Sequence, residues 1–229
     1  MVNQRKKQVL FHNNTPSPPA TPEPRGLPMP TVERGWLTIP YHHLAVLAFM
    51  FRQGLTTSVR ATLLQGLFTL IPLQLAYNYL IVLNTNSNTK RGKDNDNISL
   101  LVVGAVLVSL ALLGPLHVCL VLFGAPIFAY WKETALLAAH LALVAFDPLL
   151  VEFKFDFARL RGIFGTDAAI RTLVGNPVVA LALGGFVGAW LGVLPIPLDW
   201  DRPWQQWPIT LVVGLYLGTV VGGLVSLVM

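Results

Sequence analysis

Long blocks of apolar residues constrain this chain more than any other feature. One of them runs from Ile98 to Tyr130 without an Asp, Glu, Lys or Arg. A run of about 20 apolar residues crosses the hydrocarbon core of a bilayer as a helix. Charged residues make up only 12% of the chain, whereas soluble domains carry about 25%. We therefore predict an all-α, polytopic membrane protein.

The apolar blocks predict about six transmembrane helices. The third block is too long for one straight helix, and we expect Gly114-Pro115 and Gly124-Ala125-Pro126 to kink or end it. Residues 1–36 hold seven prolines between Pro16 and Pro30, which predicts a disordered tail before a transmembrane domain over residues 37–229. The predicted spans are Leu37–Phe51, Thr62–Leu83, Ile98–Tyr130, Thr134–Val151, Gly175–Leu194 and Ile209–Met229.

The basic residues predict the orientation of the bundle. With six spans, twelve Lys and Arg fall on the side that holds both termini, and four fall on the other side. Cytoplasmic loops of membrane proteins carry the excess of Lys and Arg. Both termini are therefore predicted to be cytosolic, and the loop between the last two spans is predicted to be lumenal. The net charge of +5 is spread over short loops, and no nucleic-acid partner is predicted.

Glycines recur at every fourth position in the last two spans, and so line one face of each helix. Such a face lets two helix backbones approach closely. Two readings stay open: the two helices pack on each other as a hairpin, or one glycine face docks a helix of a partner protein. The predicted helix-packing residues are Gly184, Gly188 and Gly192 in the fifth span, and Gly214, Gly218 and Gly222 in the sixth.

The loop between the last two spans is dense in tryptophan and proline. Tryptophan is enriched at membrane interfaces, because an apolar ring there keeps a polar N–H near water. The loop is either an aromatic belt with a structural ion pair, or a rigid docking surface for a partner or a lipid headgroup. The candidate contact residues are Asp199, Trp200, Asp201, Arg202, Pro203, Trp204 and Trp207.

Two carboxylates in that loop could offer oxygen ligands to a divalent cation. No third acidic residue or histidine lies near Asp199 and Asp201 in sequence, and Arg202 competes for both. We therefore predict no metal site. No catalytic residue and no cofactor is predicted either, because the chain shows neither a Ser/His/Asp arrangement nor a glycine-rich phosphate loop.

Polar residues inside the spans need partners, because unpaired polar groups are costly in a bilayer. Gln74 and Asn78 share a face of the second span, and we expect interhelical hydrogen bonds from both. His140 and Asp147 share a face of the fourth span and serve either interhelical hydrogen bonding or a relay or ligand contact. The alternating segment from Val151 to Phe157 predicts an interfacial stretch with its three phenylalanines facing the bilayer.

Two strings of residues resemble the PIG-F family of GPI-anchor biosynthesis proteins. The first is Phe186-Val-Gly-Ala-Trp-Leu-Gly192 followed by Pro195-Ile-Pro-Leu-Asp-Trp-Asp-Arg-Pro-Trp-Gln205 and Trp207-Pro-Ile209. The second is Leu122-Phe-Gly-Ala-Pro126 with Glu133-Thr134. We match no motif of that family within the first 95 residues.

The resemblance implies a multi-pass protein of the endoplasmic reticulum membrane. Proteins of this family are non-catalytic subunits that bind and stabilise the GPI ethanolamine-phosphate transferases, which hold the catalytic metal. Those enzymes add phosphoethanolamine to GPI mannoses, between the synthesis of GlcNAc-PI and the transfer of GPI to protein. The implied partners are these catalytic subunits, membrane lipids and GPI intermediates. Two alternatives stay open: a stand-alone lipid phosphoethanolamine transferase with Asp199 and Asp201 on a metal, and a lipid transporter or scramblase.

Overall fold

The regular elements of the protein are helices throughout the part of the chain that the structure describes. A computed structural model describes residues 34–88, 97–162, 170–198 and 200–229. The predicted tail at 1–36 lies almost wholly outside these residues. The α-helices are α1 (Tyr41–Arg52), α2 (Val59–Asn88), α3 (Ile98–Ala111), α4 (Leu113–Leu122), α5 (Trp131–Leu141), α6 (Asp147–Glu152), α7 (Phe157–Gly162), α8 (Ile170–Gly175), α9 (Pro177–Leu191) and α10 (Ile209–Val228).

Four helical stretches in the described ranges are long and apolar enough to cross a membrane. They are Val59–Asn84, Ile98–Leu122, Trp131–Glu152 and Ile209–Val228. The other two predicted spans form shorter helices: α1 has 12 residues, and α9, which is apolar, has 15. At 1.5 Å per residue they measure about 18 and 22 Å, less than the ~30 Å of a hydrocarbon core.

The third predicted span is interrupted near the expected position and ends where expected. Leu112 separates α3 from α4, and α4 ends at Leu122, just before Gly124-Ala125-Pro126. Pro115 has no N–H, so it cannot donate to the carbonyl of Ala111, and the regular hydrogen-bond ladder fails there. Gly124 then adopts φ +103°, a conformation that glycine accepts without a steric penalty.

The stretch from Trp131 to Glu152 is the central and most deeply buried helix of the bundle. It is not a uniform α-helix, because residues Ala142–Phe146 form a π-helical turn between α5 and α6. In a regular α-helix, His140 and Asp147 would lie within about 20° of each other around the axis. The wider π turn rotates α6 relative to α5. His140 bonds to α2 and α10, whereas Asp147 bonds to α2 and α3, and the two side chains do not bond to each other.

The prediction for the segment after α6 was wrong for its first phenylalanine. Phe153 is buried, at 2% exposure, while Phe157 is exposed. The chain turns immediately after Glu152, with Lys154 and Phe155 at φ 47° and 60°. A left-handed turn does not alternate its side chains as an extended strand does, and it directs Phe153 into the core.

Candidate functional site

One side chain organises the tryptophan-rich loop between α9 and α10. Gln205 donates from Nε2 to the carbonyl oxygens of Pro195, at 2.8 Å, and Leu198, at 2.7 Å. Its Oε1 accepts from the backbone N–H of Arg202 at 2.9 Å. A short 3₁₀ turn over Pro203–Gln205 brings that side chain into place. The loop is thus a fixed structure and not a slack connection between two helices.

The three tryptophans of the loop face different surroundings. Trp207 donates from Nε1 to Oγ1 of Thr134 at 3.0 Å, which ties the loop to the first turn of α5. Trp200 and Trp204 pack edge to face, with ring centroids 5.7 Å apart, and both are exposed. Since Thr134 belongs to the second family-like string and Trp207 to the first, the fold brings the two strings together.

The charged residues predicted in the loop are only partly described. Asp199 lies outside the described residues. Asp201, Arg202 and Pro203 are exposed, and no ion pair joins Asp201 to Arg202 in the part of the chain that the structure describes. Asp201 adopts φ +45°, which turns the chain sharply beside Trp200. Among the described residues, no group of three or more His, Cys, Asp or Glu could hold a metal ion.

The glycines of α9 and α10 lie where the two helices touch. A Cβ added to Gly188 would overlap the carbonyl of Gly214, and one added to Gly184 would overlap the carbonyl of Gly218. Gly222 lies against the carbonyl of Ala180, and Gly192 against that of Thr210. All six glycines therefore allow backbone-to-backbone contact between α9 and α10, as in a close-packed membrane helix pair.

An apolar groove of about 830 Å³ runs along one side of this helix pair. Gly184, Gly188, Gly214 and Gly218 stay partly exposed in it. Val187, Leu217 and Val221 stand exposed along the groove, and Trp204 and Pro195 line it on the loop side. Thr210 also lines the groove, and its hydroxyl oxygen is buried without a hydrogen-bond partner in the described part of the chain. The glycine faces therefore contribute both to the α9–α10 contact and to an open surface.

An ion pair lies beside the loop and was not predicted from the sequence. Arg60, in the first turn of α2, donates from Nε to Oε1 of Glu133 at 3.0 Å, and its Nη2 lies 2.9 Å from the same oxygen. Glu133 precedes Thr134, which accepts the bond from Trp207. The two partners are 73 positions apart, so their pairing could not be predicted from local patterns. The sequence showed only that each charged residue lies beside an apolar block.

A chain of buried polar side chains joins α1, α2, α3 and α6. An amide oxygen can only accept, so His42 donates from Nε2 to Oε1 of Gln74 at 2.9 Å. Gln74 donates to Asn78 at 3.4 Å, and Asn78 donates to Asp147. Ser109 of α3 donates to the other carboxylate oxygen of Asp147 at 3.5 Å. The expected interhelical bonds of Gln74 and Asn78 are confirmed.

A second buried set of polar groups joins α10 to the helices around it. His140 donates from Nε2 to the carbonyl of Leu63 at 3.0 Å, so its Nδ1 accepts from the Tyr216 hydroxyl at 2.7 Å. His43 bonds Thr219 at 2.7 Å and reaches Gln74 at 3.3 Å, which links the two sets. Every one of these side chains is fully buried. They bond to one another inside the bundle, and this favours the structural reading of the polar residues over a relay.

Comparison with known proteins identifies clear relatives. A family profile described as "GPI biosynthesis protein family Pig-F" matches residues 38–227. The chain is 43% identical over 197 residues to Glycosylphosphatidylinositol anchor biosynthesis protein 11 of Debaryomyces hansenii, covering 85% of this chain and 84% of the relative. It is 37% identical over 218 residues to the protein of that name in Candida albicans, covering 87% and 82%. No solved structure matches the chain.

Proposed function

The chain belongs to the Pig-F family of GPI biosynthesis proteins, which confirms the resemblance seen in its motifs, and we propose that it is a non-catalytic subunit of that pathway. It binds and stabilises the ethanolamine-phosphate transferases that add phosphoethanolamine to GPI mannoses. It acts in the endoplasmic reticulum membrane, between GlcNAc-PI synthesis and the transfer of GPI to protein. The family match supports the assignment to GPI biosynthesis. The surface formed by α9, α10 and their loop supports the proposal that the protein binds a partner.

The proposal includes a six-span topology with both termini in the cytosol. In this arrangement α1 and α9 are short spans, and α3 and α4 together make one span. The contacts at the two ends of the bundle agree with it. Arg34, before α1, donates to the carbonyl of Gly175 just before α9 at 3.0 Å. At the other end, Arg60 meets Glu133 and Trp207 meets Thr134. The first pair then lies on the cytosolic side and the other two on the lumenal side.

The groove along α9 and α10 is the proposed seat of a transmembrane helix of the transferase. Small residues at a membrane interface let a neighbouring backbone approach closely, and packing then holds the helices together. Four partly exposed glycines in the groove offer such an approach.

The loop beside the groove is the proposed contact for the lumenal part of the same partner. Trp200 and Trp204 are held edge to face on a loop that Gln205 fixes, so little conformational freedom is lost when a partner binds. Exposed aromatic and arginine side chains such as Trp200 and Arg202 are the residue types that dominate binding energy at protein interfaces.

A pull-down from mild detergent tests the proposal, with co-purifying proteins identified by mass spectrometry. Val221→Trp fills the groove from its exposed edge without touching the contact between α9 and α10, because Val221 is 56% exposed. Trp204→Ala removes the aromatic wall on the loop side. We expect a GPI ethanolamine-phosphate transferase to co-purify with the wild type and to be lost severalfold from both variants.

Leu224→Trp is the matched control for the groove variant. Leu224 is exposed on α10, one turn beyond Val221, and does not line the groove. This variant should retain the transferase as the wild type does. If no transferase accompanies even the wild type, the subunit proposal is wrong. If the transferase is retained by Val221→Trp and Trp204→Ala alike, the partner binds elsewhere.

A further inference from the structure

The ion pair between Arg60 and Glu133 leaves both partners incompletely bonded. Nε and Nη2 of Arg60 lie 3.0 and 2.9 Å from the same oxygen, Oε1 of Glu133. The other oxygen, Oε2, is buried and has no hydrogen-bond partner in the described part of the chain. A bidentate arginine–carboxylate pair would have used both oxygens. A buried carboxylate oxygen without a donor is costly, so this arrangement points to a missing hydrogen-bond donor.

The positions of Glu133 and Arg60 suit a ligand that carries both charges. Glu133 lies in the first turn of α5, where the helix dipole favours negative charge. The side chain of Arg60 is 56% exposed, against 8% for Glu133, and its remaining N–H groups are free to bind an outside acceptor. The terminal torsion of a glutamate is broad, so a small rotation turns Oε2 toward that exposed side.

An apolar stripe continues from this pair toward the middle of the membrane. Leu64 and Phe68 follow Arg60 at intervals of four residues, so all three lie on one face of α2. Leu64 is 43% exposed and Phe68 is 67% exposed. A molecule bound at the ion pair can therefore lay hydrocarbon chains along α2 below it. A charged pair beside an apolar stripe suits a lipid, which has a charged headgroup and hydrocarbon chains, better than it suits a soluble ligand.

We propose that Arg60 and Glu133 bind the headgroup of a glycerophospholipid that carries a primary ammonium, namely phosphatidylethanolamine. The phosphate binds Arg60, and the ammonium donates to Oε2 of Glu133. A choline headgroup has no N–H to donate, and a glycerol headgroup has no cation. A serine headgroup adds a carboxylate, which Glu133 repels. Of these four headgroups, ethanolamine alone has a phosphate for Arg60 and an ammonium N–H for Glu133 without a further carboxylate.

This inference deepens the proposed function, on which its biological meaning rests. Glu133 adjoins Thr134, which Trp207 binds, so the lipid lies next to the loop that is proposed to meet the transferase. The subunit would then hold an ethanolamine phospholipid at the lumenal edge, beside its partner. Binding itself depends only on residues of this chain and can be measured without the transferase.

Lipid retention by the purified full-length chain tests the site. The protein is exchanged in detergent against an equal mixture of ethanolamine, choline, serine and glycerol phospholipids with the same acyl chains, and retained lipid is measured by native mass spectrometry. The wild type should prefer the ethanolamine lipid. Loss of one charge-assisted hydrogen bond should lower that preference about tenfold in Glu133→Gln. Arg60→Gln should lower the retention of all four lipids.

Arg52→Gln is the matched control, because Arg52 is an exposed arginine at the end of α1, on the same side of the bundle. It should retain lipids as the wild type does. Glu133→Asp keeps the charge and guards against misfolding of the glutamine variant, and it should keep part of the preference. The site is wrong if the wild type shows no preference for ethanolamine, or if Glu133→Gln keeps the preference in full.

Transferase co-purification from the same preparations separates the two proposals. If Glu133→Gln keeps its lipid preference while the wild type still brings down the transferase, the lipid site fails and the subunit function stands. If the wild type selects the ethanolamine lipid but brings down no transferase, the subunit function fails and the lipid site stands.

Discussion

At the scale of single residues, the buried polar side chains explain how a membrane bundle gains a unique arrangement. Asp147 is fully buried and accepts from both Asn78 and Ser109. The hydrogen bonds that lead to this carboxylate all run in one direction: His42 donates to Gln74, Gln74 donates to Asn78, and Asn78 donates to Asp147. Aligned hydrogen bonds polarise one another. A helix that shifted its register would leave several of these groups unpaired.

The first prediction concerns Asp147. Asp147→Ala removes the acceptor of Asn78 and leaves a buried amide unpaired, which should cost about 1–3 kcal/mol. Asp147→Asn keeps an acceptor oxygen and should cost less. The measurement is the thermal midpoint of the purified chain, read as loss of the monodisperse peak in size-exclusion chromatography. An alanine variant as stable as the wild type would show that this hydrogen-bond chain contributes nothing to stability.

The sequence predicted which polar residues need partners, but not which partners they find. The spacing of Gln74 and Asn78 correctly indicated one helix face directed at other helices. Their partners lie 32 positions earlier, in His42, and 69 positions later, in Asp147. Such distances along the chain are decided by how the helices pack. The same limit hid the pairing of Arg60 with Glu133.

At the scale of elements, the α9–α10 pair depends on the absence of side chains. Each of the six glycines at four-residue spacing touches backbone of the partner helix and not a flexible side chain. A methyl group at such a position cannot be accommodated by a rotamer change, and the helices have to separate. Backbone contact along most of two helices makes this hairpin the most closely packed part of the described bundle.

The second prediction compares two glycines inside helices. Gly188→Ala places a methyl group against the carbonyl of Gly214 and should destabilise the protein by about 1–3 kcal/mol through overpacking. Gly104→Ala in α3 meets only the ring of Phe155, at 3.7 Å, and alanine favours a helix over glycine by about 1 kcal/mol. It should therefore be neutral or stabilising. Equal thermal midpoints for the two variants would contradict the close-packed hairpin.

The order and approximate bounds of the helices could be predicted from the sequence, whereas their local irregularities could not. Apolar length, Gly-Pro pairs and the glycine period are local signals, and they located the helices and the break beside Pro115. The π turn at Ala142–Phe146 has no Gly or Pro to mark it. Phe153 was misplaced for a similar reason, since an alternating pattern does not show where the chain turns back.

At the scale of the whole molecule, the two ends of the bundle differ in character. One end carries the fixed loop with Trp200 and Trp204, the ion pair of Arg60 and Glu133, and the exposed start of α5. In the proposed topology this end is lumenal and faces the proposed transferase partner. The six apolar blocks and their flanking charges led to this proposed orientation. The lengths of α1 and α9 depend on tertiary packing and could be read only from the structure.

The third prediction tests the topology by labelling. Cys119 is the only cysteine of the chain, so Cys119→Ser gives a background without thiols. Asp201→Cys in that background should resist a membrane-impermeant maleimide in sealed microsomes and react once the membrane is permeabilised. Asn97→Cys, at the start of α3, should react at once. The opposite pattern would reverse the orientation, and immediate reaction of both would contradict the six-span topology.

The bond between His43 and Thr219 has a consequence for how the protein is made. Its two partners are 176 positions apart, so the histidine of the first span leaves the ribosome long before the threonine of the last. Until the C-terminal hairpin arrives, Nδ1 of this histidine lacks its final partner. A nascent chain that stalls before α10 leaves that nitrogen unpaired inside the bundle, and membrane quality control can recognise such an unfinished product.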